Sequence, residues 1–412
     1  MKGILIILDG LADLPCKKLK GKTPLEAAET PNLDYLSSKG DFGYLYPVKK
    51  GFVPGTSEAI ISIFGREWQE YPRGWLEALG AGLELKKGDL ALRANFATID
   101  NMENREIIDR RAGRNLTTKE AEKLAKTLNE KIKIFHPFIF KPTLQHRAVL
   151  VIKGGFSDRI TPTDPEYLKV KDRKFRFSVP ENDDELSEYS ANLLNNFTKQ
   201  AFELLKEHPV NIERRKKGFL PANIILCRAA GTYIKKIKKY RNWCCSTSVP
   251  VIKGICKVLG INLHEFSPIK SKNYDAYSNL KKNLMWEIKK TIKMLKKSKE
   301  DYAFVYLKET DAAGHDNKPL EKKEMLEIID KKLFSFLKKF GEKNKIKIII
   351  TSDHSTPCEL KKHSADPVPV LFCNWKKKKE PVKFCERNAR KGKLGKLESK
   401  TLLDLFKKPI EK

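Results

Sequence analysis

Three short apolar runs along the chain each stop at a carboxylate. They are GILIIL before Asp9, YAFVYL shortly before Asp311, and KIKIIITS before Asp353. Between and after them lie amphipathic stretches such as MLEIIDKKLFSFLKKF, whose apolar residues recur at three- and four-residue spacing. Short buried runs that alternate with helical patterns are typical of parallel strands joined by helices. The pattern predicts an α/β fold with a doubly wound, mainly parallel sheet.

The ends of these strands carry the strongest chemical signal. In doubly wound sheets, ligands bind beyond the carboxyl ends of the strands. Carboxylates and imidazoles together suit divalent ions such as Mn, Zn or Co, whereas Mg takes imidazole poorly. Because the candidates exceed one tetrahedral set, we expect two ions, an arrangement suited to phosphoryl transfer. The candidate ligands are Asp9, Asp311, His315, Asp353, His354 and His363.

The middle of the chain differs from its two ends. Strand-like pieces such as HRAVLVIKG and PANIILCRAAG are separated by charged turns, notably DRRAGR and SDRITPTDP. A chain of 412 residues is long for a single core. We therefore expect two domains, with residues 1–70 and 245–412 forming a metal-binding core. Residues 71–244 would form an inserted α/β domain that binds the substrate.

A Pro-Gly turn at residues 54–55 is followed by two hydroxyls, Thr56 and Ser57, and then by an apolar run. Either hydroxyl is suited to be a helix N-cap, where it would accept a free backbone N–H. A hydroxyl at a helix N-terminus beside a metal ion would also be activated for attack on phosphorus, because the helix N–H groups favour a phosphate there. The stretch alone leaves both interpretations open.

The composition limits the partners and the location of the protein. Its 82 basic and 52 acidic residues give a formal net charge of +30, which is typical of proteins that bind nucleic acid. The lysine runs lie far apart, however, without an RNA-binding or zinc-finger motif, so we expect no nucleic-acid partner. No apolar run has the length of a secretory leader or a membrane span, and the eight cysteines show no CxxC pair. We expect a cytoplasmic protein without a membrane partner, and a homo-oligomer is left open.

With these motifs taken together, the chain resembles the archaeal-type 2,3-bisphosphoglycerate-independent phosphoglycerate mutases of the alkaline phosphatase superfamily. The resemblance extends nearly from end to end, through DGLADLP, GKTPLEAAETPNLDYL, EALGAGLELKKGDLALRANFATID, DRRAGR, SDRITPTDP, TDAAGHD, SDHSTPC and HSADPVPVLF. It implies an alkaline phosphatase-like core that interconverts 3-phosphoglycerate and 2-phosphoglycerate, in glycolysis and gluconeogenesis, through a phosphoenzyme. It also implies a small phosphorylated substrate and two divalent ions, with Mn favoured over Co, Zn and Mg. No 2,3-bisphosphoglycerate would be needed.

The resemblance also implies a role for each motif residue. Thr56 would be the nucleophile in place of the family's serine, with Ser57 the alternative if the turn shifts by one residue. One ion would be held by the nucleophile together with Asp9, Asp353 and His354. The other ion would be held by Asp311, His315 and His363. The substrate would be bound by Arg110, Arg111, Arg114, Asp158, Arg228 and Lys253.

The nucleophile turn departs from the family pattern, since Ser57 and Ile60 stand where the family has an aspartate and a histidine. This departure leaves other functions open. A metal-dependent phosphomonoesterase or phosphodiesterase would share the ligands and the nucleophile, and a mutase for another compound, such as a pentose phosphate, would share the scaffold. A weakly active paralogue that binds polyanions would need no metal ion.

Overall fold

The computed structural model describes residues 1–165, 173–235, 240–269, 276–376 and 380–409. The chain forms two compact units. The first comprises Met1–Gln69, Lys238–Ser248 and Cys256–Lys412, and the second comprises Glu70–Ile237 and Val249–Ile255.

The strands of the described residues, in chain order, are β1 (Gly3–Leu8), β2 (Gly40–Tyr46), β3 (Leu90–Ile99), β4 (Ile107–Asp109), β5 (Phe138–Leu144), β6 (Arg147–Ile152), β7 (Ile224–Gly231), β8 (Trp243–Thr247), β9 (Asn262–Glu265), β10 (Tyr302–Leu307), β11 (Lys347–Thr351), β12 (Val368–Cys373) and β13 (Gly395–Glu398). The α-helices are α1 (Pro24–Ala27), α2 (Pro31–Ser37), α3 (Thr56–Ile63), α4 (Arg73–Gly80), α5 (Thr118–Lys131), α6 (Glu185–Lys206), α7 (Pro209–Lys216), α8 (Pro250–Leu259), α9 (Ala276–Lys297), α10 (Glu309–His315), α11 (Pro319–Ile329), α12 (Ser335–Asn344) and α13 (Glu386–Arg390).

The first unit is built on an eight-stranded sheet with the order β13-β2-β12-β11-β1-β10-β8-β9. The central strand β1 lies parallel to β10 and to β11, with Leu8 opposite Leu307 and Ile7 opposite Thr351. Only β12 runs antiparallel to its neighbours among the described strands of this sheet. The predicted mainly parallel α/β fold is confirmed. The three predicted strands are adjacent and in register, so the residues that follow them meet at one edge of the sheet.

The sheet of the first unit is buried on both faces. Ile4, Ile6 and Leu8 of β1 belong to one hydrophobic core together with residues of α11. On the other face, the rings of Phe304 and Phe64 lie 5.4 Å apart. Phe64 directly follows α3, so this contact anchors the helix that begins at the Thr56 turn.

The predicted domain boundary between residues 244 and 245 falls inside strand β8, which lies in the first unit. The boundary was therefore placed too late, and Val249–Ile255, which was predicted to be part of the core, belongs to the second unit. The reason is that Trp243–Thr247 is a fully buried strand that pairs in parallel with β10, and the chain has already returned to the first sheet before the predicted point.

The second unit contains an antiparallel sheet with β3 at its centre, between β6 and β7. Strand β5 pairs with β6, and β4 pairs with the end of β3. Its core joins Leu92 of β3 to Leu124 of α5 and Phe197 of α6. Both units thus combine helices with a sheet. All eight cysteines are buried thiols outside any disulfide, and no helix in the described ranges has the length and apolar character that a membrane crossing requires.

Candidate active site

Two groups of side chains lie where the central strands of the first sheet end. In each group, one potential ligand atom from every member lies within 4.8 Å of the others. The structure thus brings together all six candidate ligands, in the two groupings that the resemblance implied. The strand group, as we call it, consists of Asp9, Asp353 and His354, and the helix group consists of Asp311, His315 and His363.

The strand group is buried and contains unsatisfied polar atoms. Nε2 of His354 lies 3.1 Å from Oδ1 of Asp9 and 3.4 Å from Oδ2 of Asp353. Among the described residues, neither that nitrogen nor Oδ1 of Asp9 has a hydrogen-bond partner. Buried polar atoms in native proteins are almost always paired. A nitrogen and an oxygen that are buried, without hydrogen-bond partners and close together can both bind one cation, so these residues fit a divalent ion.

The electrostatics of the strand group also favour a cation. Burial and the negative charges of Asp353 and Asp311 raise the pKa of Asp9 to about 7. Burial lowers the pKa of His354, but the charges of Asp353, Asp9 and Asp311 outweigh it and raise the pKa to about 9. The carboxyl of Asp9 and the imidazole of His354 therefore hold protons that they would release to a divalent ion.

The helix group presents two imidazoles to one carboxylate. Nε2 of His315 and Nε2 of His363 each lie 3.5 Å from Oδ1 of Asp311. Nδ1 of His315 lies 2.9 Å from the carbonyl of Lys361, and Nδ1 of His363 lies 2.9 Å from that of Pro54. A carbonyl only accepts, so each Nδ1 carries a proton, which leaves the Nε2 lone pair for a metal ion when the ring is neutral.

Asp311 stays ionised despite its enclosed position. Burial raises the pKa of this carboxyl, but the hydrogen bond from His363 and the charges of His315 and His354 lower it well below its usual range. Its position on the first turn of α10, four residues before His315, places both side chains on one helix face. The i, i+4 spacing in TDAAGHD therefore brings together two of the three members of the helix group.

Tyr306 is a site residue that the sequence analysis missed. Its hydroxyl donates to Oδ2 of Asp353 over 3.4 Å and also contacts Asp9 and Thr56. Burial and the charges of Asp353 and Asp9 raise the pKa of this phenol well above its ordinary value, so it remains a neutral donor. An aromatic residue within an apolar strand has the pattern of core packing, so no sequence signal marks Tyr306 as a site residue.

The turn before α3 lies beside both groups. Gly55 is the N-cap, and its N–H donates to the carboxylate of Glu58. Thr56 is the first helical residue, so the interpretation of its hydroxyl as an N-cap is wrong. The buried Thr56 side chain contacts Tyr306 next to the strand group, while the carbonyl of Pro54 accepts from His363 of the helix group. Ser57, the second helical residue, is buried as well.

In the second unit, two predicted arginines converge on one carboxylate. Nε and Nη2 of Arg110 donate to the two oxygens of Asp164 over 2.9 Å and 2.6 Å. Nη1 of Arg228 lies 3.3 Å from the same carboxylate, and its Nη2 donates to Asn95 over 3.3 Å. Asp164 is fully buried. Paired in this way, the two guanidinium groups are held in fixed orientations.

Asp158, the substrate-binding candidate of the motif SDRITPTDP, lies beside the segment that follows β7. Its carboxylate accepts from the backbone N–H and the hydroxyl of Thr232, over 3.1 Å and 3.2 Å. It thereby fixes the residue that follows β7. The motif SDRITPTDP does contain a residue that contacts the arginines, but that residue is Asp164, which the sequence analysis did not select.

Arg111 and Arg114 lie in the turn after β4, and Lys253 lies in α8. Ala112, Gly113 and Arg114 have consecutive positive φ angles of 46°, 73° and 58°, a conformation that costs free energy for the two non-glycine residues. The turn is fixed by surrounding residues. Oδ1 of Asp109 accepts from the N–H groups of Arg111 and Gly113, and the buried Arg214 donates to the carbonyl of Ala112 over 3.1 Å.

A buried histidine, His146, lies among further arginines. Burial and the positive charges of Arg147, Arg93, Arg114 and Arg228 lower its pKa well below the ordinary value. This part of the second unit thus concentrates positive charge around a neutral imidazole. The sequence HR at residues 146–147 was the only signal for it.

Comparison with known proteins identifies the family. A family model described as 2,3-bisphosphoglycerate-independent phosphoglycerate mutase matches residues 37–211. The protein of that name from Pyrococcus horikoshii is 41% identical over 416 residues, which cover 98% of this chain and 96% of the relative. The chain belongs to the 2,3-bisphosphoglycerate-independent phosphoglycerate mutase family.

Solved structures show that the fold of this chain is also similar to that of known proteins. The structure of the PH0037 protein from Pyrococcus horikoshii matches with a TM-score of 0.76 and 34% identity, over 98% of this chain and 97% of that one. The cofactor-independent phosphoglycerate mutase from Thermoplasma acidophilum matches with a TM-score of 0.59 and 30% identity, over 99% of both chains. The resemblance stated from the motifs is confirmed.

The departure from the mutase pattern in the turn at residues 54–57 and in α3 includes the replacement of a polar residue by an apolar one. Ile60, which stands at the family's histidine, is fully buried within α3. Thr56, which the resemblance sets at the family's serine, is the first residue of that helix, so the helix still begins with a hydroxyl.

Proposed function

We propose that this chain is a phosphoglycerate mutase that interconverts 3-phosphoglycerate and 2-phosphoglycerate at a site with two divalent ions and without 2,3-bisphosphoglycerate. The observation that carries the proposal is the pair of ligand groups beside the hydroxyl of Thr56. The membership of the family, over nearly the whole chain, supports it. Such an enzyme would act on a small phosphorylated substrate in glycolysis and gluconeogenesis, in the cytoplasm.

Each ligand group would hold one ion. The strand group would bind one together with the hydroxyl of Thr56, and the helix group would bind the other. Mixed oxygen and nitrogen ligands favour Mn over Mg, with Co and Zn as alternatives. When bound, the ions would neutralise charge on the phosphoryl oxygens and favour ionisation of the Thr56 hydroxyl.

In the proposed reaction, the Thr56 oxygen first attacks the phosphorus of the substrate. The bond between phosphorus and the 3-oxygen breaks, and that oxygen takes up the proton that Thr56 gave up. The bound glycerate then presents its 2-hydroxyl, which accepts the phosphoryl group and returns a proton to Thr56. The backbone N–H groups of the first turn of α3 favour the transferred phosphoryl group, and the neutral hydroxyl of Tyr306 orients Asp353.

The second unit would bind the substrate. Guanidinium groups pair with carboxylate and phosphate oxygens in a bidentate manner. We assign this role to Arg110 and Arg228, oriented by Asp164, together with Arg111, Arg114 and Lys253. Burial and the positive charges of nearby arginines, Arg114 and Arg228 among them, lower the pKa of His146. The same positive charges would attract an anionic substrate, which supports the assignment. Asp158 would act indirectly, through the segment at Thr232.

A hydrolase is the second candidate, and Thr56 is the observation that favours it. The β-branch of threonine restricts χ1, and a nucleophile that returns its phosphoryl group slowly gives water time to react. A metal-dependent phosphomonoesterase or phosphodiesterase would use the same ligands. It would release inorganic phosphate instead of the isomeric phosphoglycerate.

An enolase-coupled assay distinguishes these functions. The protein would receive 3-phosphoglycerate and Mn without 2,3-bisphosphoglycerate, and phosphate release would be followed in parallel. Formation of 2-phosphoglycerate that stops on addition of EDTA and returns with Mn is the expected result. Phosphate release without isomerisation would identify a hydrolase, and no reaction with Mn, Co, Zn or Mg would contradict both.

A further inference from the structure

Thr356 contacts both ligand groups at once. It lies two residues after His354, in the motif SDHSTPC, and is fully buried. Its hydroxyl donates to Oδ1 of Asp311 over 2.8 Å. Nδ1 of His354 lies 3.0 Å from the same hydroxyl oxygen. One side chain therefore joins the strand group to the helix group.

The direction of these two hydrogen bonds follows from counting protons. A hydroxyl has one proton to donate, and that of Thr356 goes to Oδ1 of Asp311. Since the proton is donated to Asp311, the oxygen of this hydroxyl can only accept a hydrogen bond from His354. Nδ1 of His354 must carry a proton, so Nε2, the atom that faces Asp9 and Asp353, is the one that can release its proton and bind an ion.

Two glycines, Gly10 and Gly314, pack closely against Thr356. A Cβ at Gly10 would lie 2.5 Å from Oγ1 of Thr356, and a Cβ at Gly314 would lie 2.5 Å from its carbonyl oxygen and 2.8 Å from Cγ2. Gly10 directly follows Asp9, and Gly314 directly precedes His315. The chain segments that carry ligands of both groups therefore pack on Thr356, and neither glycine position has room for a side chain.

A buried lysine holds the backbone of the same residue. The ammonium group of Lys322 donates to the carbonyl of Thr356 over 3.1 Å, to that of Ala12 over 3.3 Å, and to Oδ2 of Asp13 over 2.8 Å. Lys322 is fully buried, so this arrangement is rigid. The position of Thr356 is thus set independently of the two ligand groups.

We propose that Thr356 is a positioning residue that couples the two metal sites, by fixing the tautomer of His354 and the orientation of Asp311 through one hydroxyl. The inference rests on the proposed two-ion function. Residues that hydrogen-bond to metal ligands typically change metal affinity by about 10- to 100-fold when they are removed. Because this hydroxyl serves one ligand in each group, its loss weakens the binding of both ions.

Three variants test the proposal. Thr356→Val keeps the shape of the side chain and removes the hydroxyl, whereas Thr356→Ser keeps the hydroxyl. Thr351→Val is the matched control, because Thr351 is equally buried and its hydroxyl donates only to the carbonyl of Pro369, over 3.0 Å, among the described residues. Mn binding to the metal-free proteins is measured by titration calorimetry, and the tautomer of His354 by nitrogen-15 NMR of the imidazoles, with circular dichroism to confirm folding.

The expected result is two Mn ions bound by the wild type, a loss of affinity of about 10- to 100-fold at both sites in Thr356→Val, and affinities near wild type in Thr356→Ser and Thr351→Val. The wild-type His354 should show a protonated Nδ1. Equal Mn affinities in Thr356→Val and Thr351→Val, with two ions bound by the wild type, would overturn the inference and leave the proposed function intact. A wild type that binds no Mn would contradict the proposed function, and the inference would fall with it.

Discussion

The imidazole rings of His354 and His363 stack with their centroids 3.6 Å apart and their planes inclined by 21°. The two residues come from different ligand groups, so the groups are in direct contact. His363 also donates from Nδ1 to the carbonyl of Pro54, two residues before Thr56. The stack therefore connects three parts of the candidate site: the strand group, the helix group and the turn that carries Thr56, the proposed nucleophile.

Replacement of His363 should affect both metal sites. His363→Ala removes a ligand of the helix group and the ring that packs on His354. We expect Mn binding to fall from two ions to at most one, and 2-phosphoglycerate formation to fall by more than the roughly 100-fold effect typical of an outer residue. His264→Ala is the control, because this exposed histidine lies at the sheet edge in β9. Two ions of unchanged affinity in His363→Ala would contradict the assignment.

The nucleophile can be identified from three substitutions at neighbouring hydroxyls. Thr56→Ala should abolish isomerisation while it leaves the helix group able to bind Mn, whereas Ser57→Ala should retain most activity. Thr56→Ser removes the β-branch that restricts χ1. The hydroxyl can then reach the attacking geometry at a lower cost in free energy, so kcat should rise by roughly twofold to tenfold. Loss of activity in Ser57→Ala alone would move the role of nucleophile to Ser57.

Much of the first unit could be predicted because strand and site share one sequence signal. A buried parallel strand is a continuous apolar run, and its carboxyl end is where a ligand residue follows. The runs before Asp9 and Asp353 therefore located both the sheet edge and the strand group. The helix group was equally accessible, since Asp311 and His315 are four residues apart on one helix.

The rest depended on contacts between residues far apart in sequence. Tyr306 and Thr356 donate hydrogen bonds to the proposed ligands Asp353 and Asp311, and neither stands out from its apolar or turn-like surroundings in the sequence. In the motif SDRITPTDP, the sequence pointed to Asp158 alone, and only the fold shows that Asp164 contacts the arginines while Asp158 contacts Thr232. The domain boundary was missed because β8 is a short apolar run without a terminal carboxylate.

The pH dependence of stability should differ between the metal-free and the Mn-loaded protein. Asp9 has a pKa of about 7 in the folded state and its ordinary pKa in the unfolded state. At pH values between these two, the folded state binds more protons at this residue than the unfolded state does. Stability from this proton is present at low pH and is lost as pH rises towards 7. His354, with a pKa of about 9, contributes stability below its unfolded pKa of 6.5 that is lost as pH rises through 9. Both effects lower the Tm of the metal-free protein as pH rises.

Mn binding should reverse this trend, because the ions bind the deprotonated ligands. Thermal unfolding of EDTA-treated protein, with and without Mn, checks it at pH 6 and pH 8.5. We expect the increase in Tm caused by Mn to be larger at pH 8.5. Asp9→Asn should remove most of the dependence below pH 7. An increase in Tm that is the same at both pH values would contradict the protonation states assigned to the strand group.

Asp164 and Asp158 provide a matched pair for testing substrate binding in the second unit. Asp164→Asn keeps the shape of the side chain but removes the charge that orients Arg110 and Arg228, so KM for 3-phosphoglycerate should rise by at least about tenfold, as for loss of a charge-assisted hydrogen bond. Asp158→Asn should raise KM less, because its carboxylate supports Thr232. Neither variant should change Mn affinity, since every proposed metal ligand lies in the first unit. A larger rise in KM for Asp158→Asn would return the substrate role to the residue that the sequence first suggested, and reduced Mn affinity in both variants would show that they had disturbed the fold.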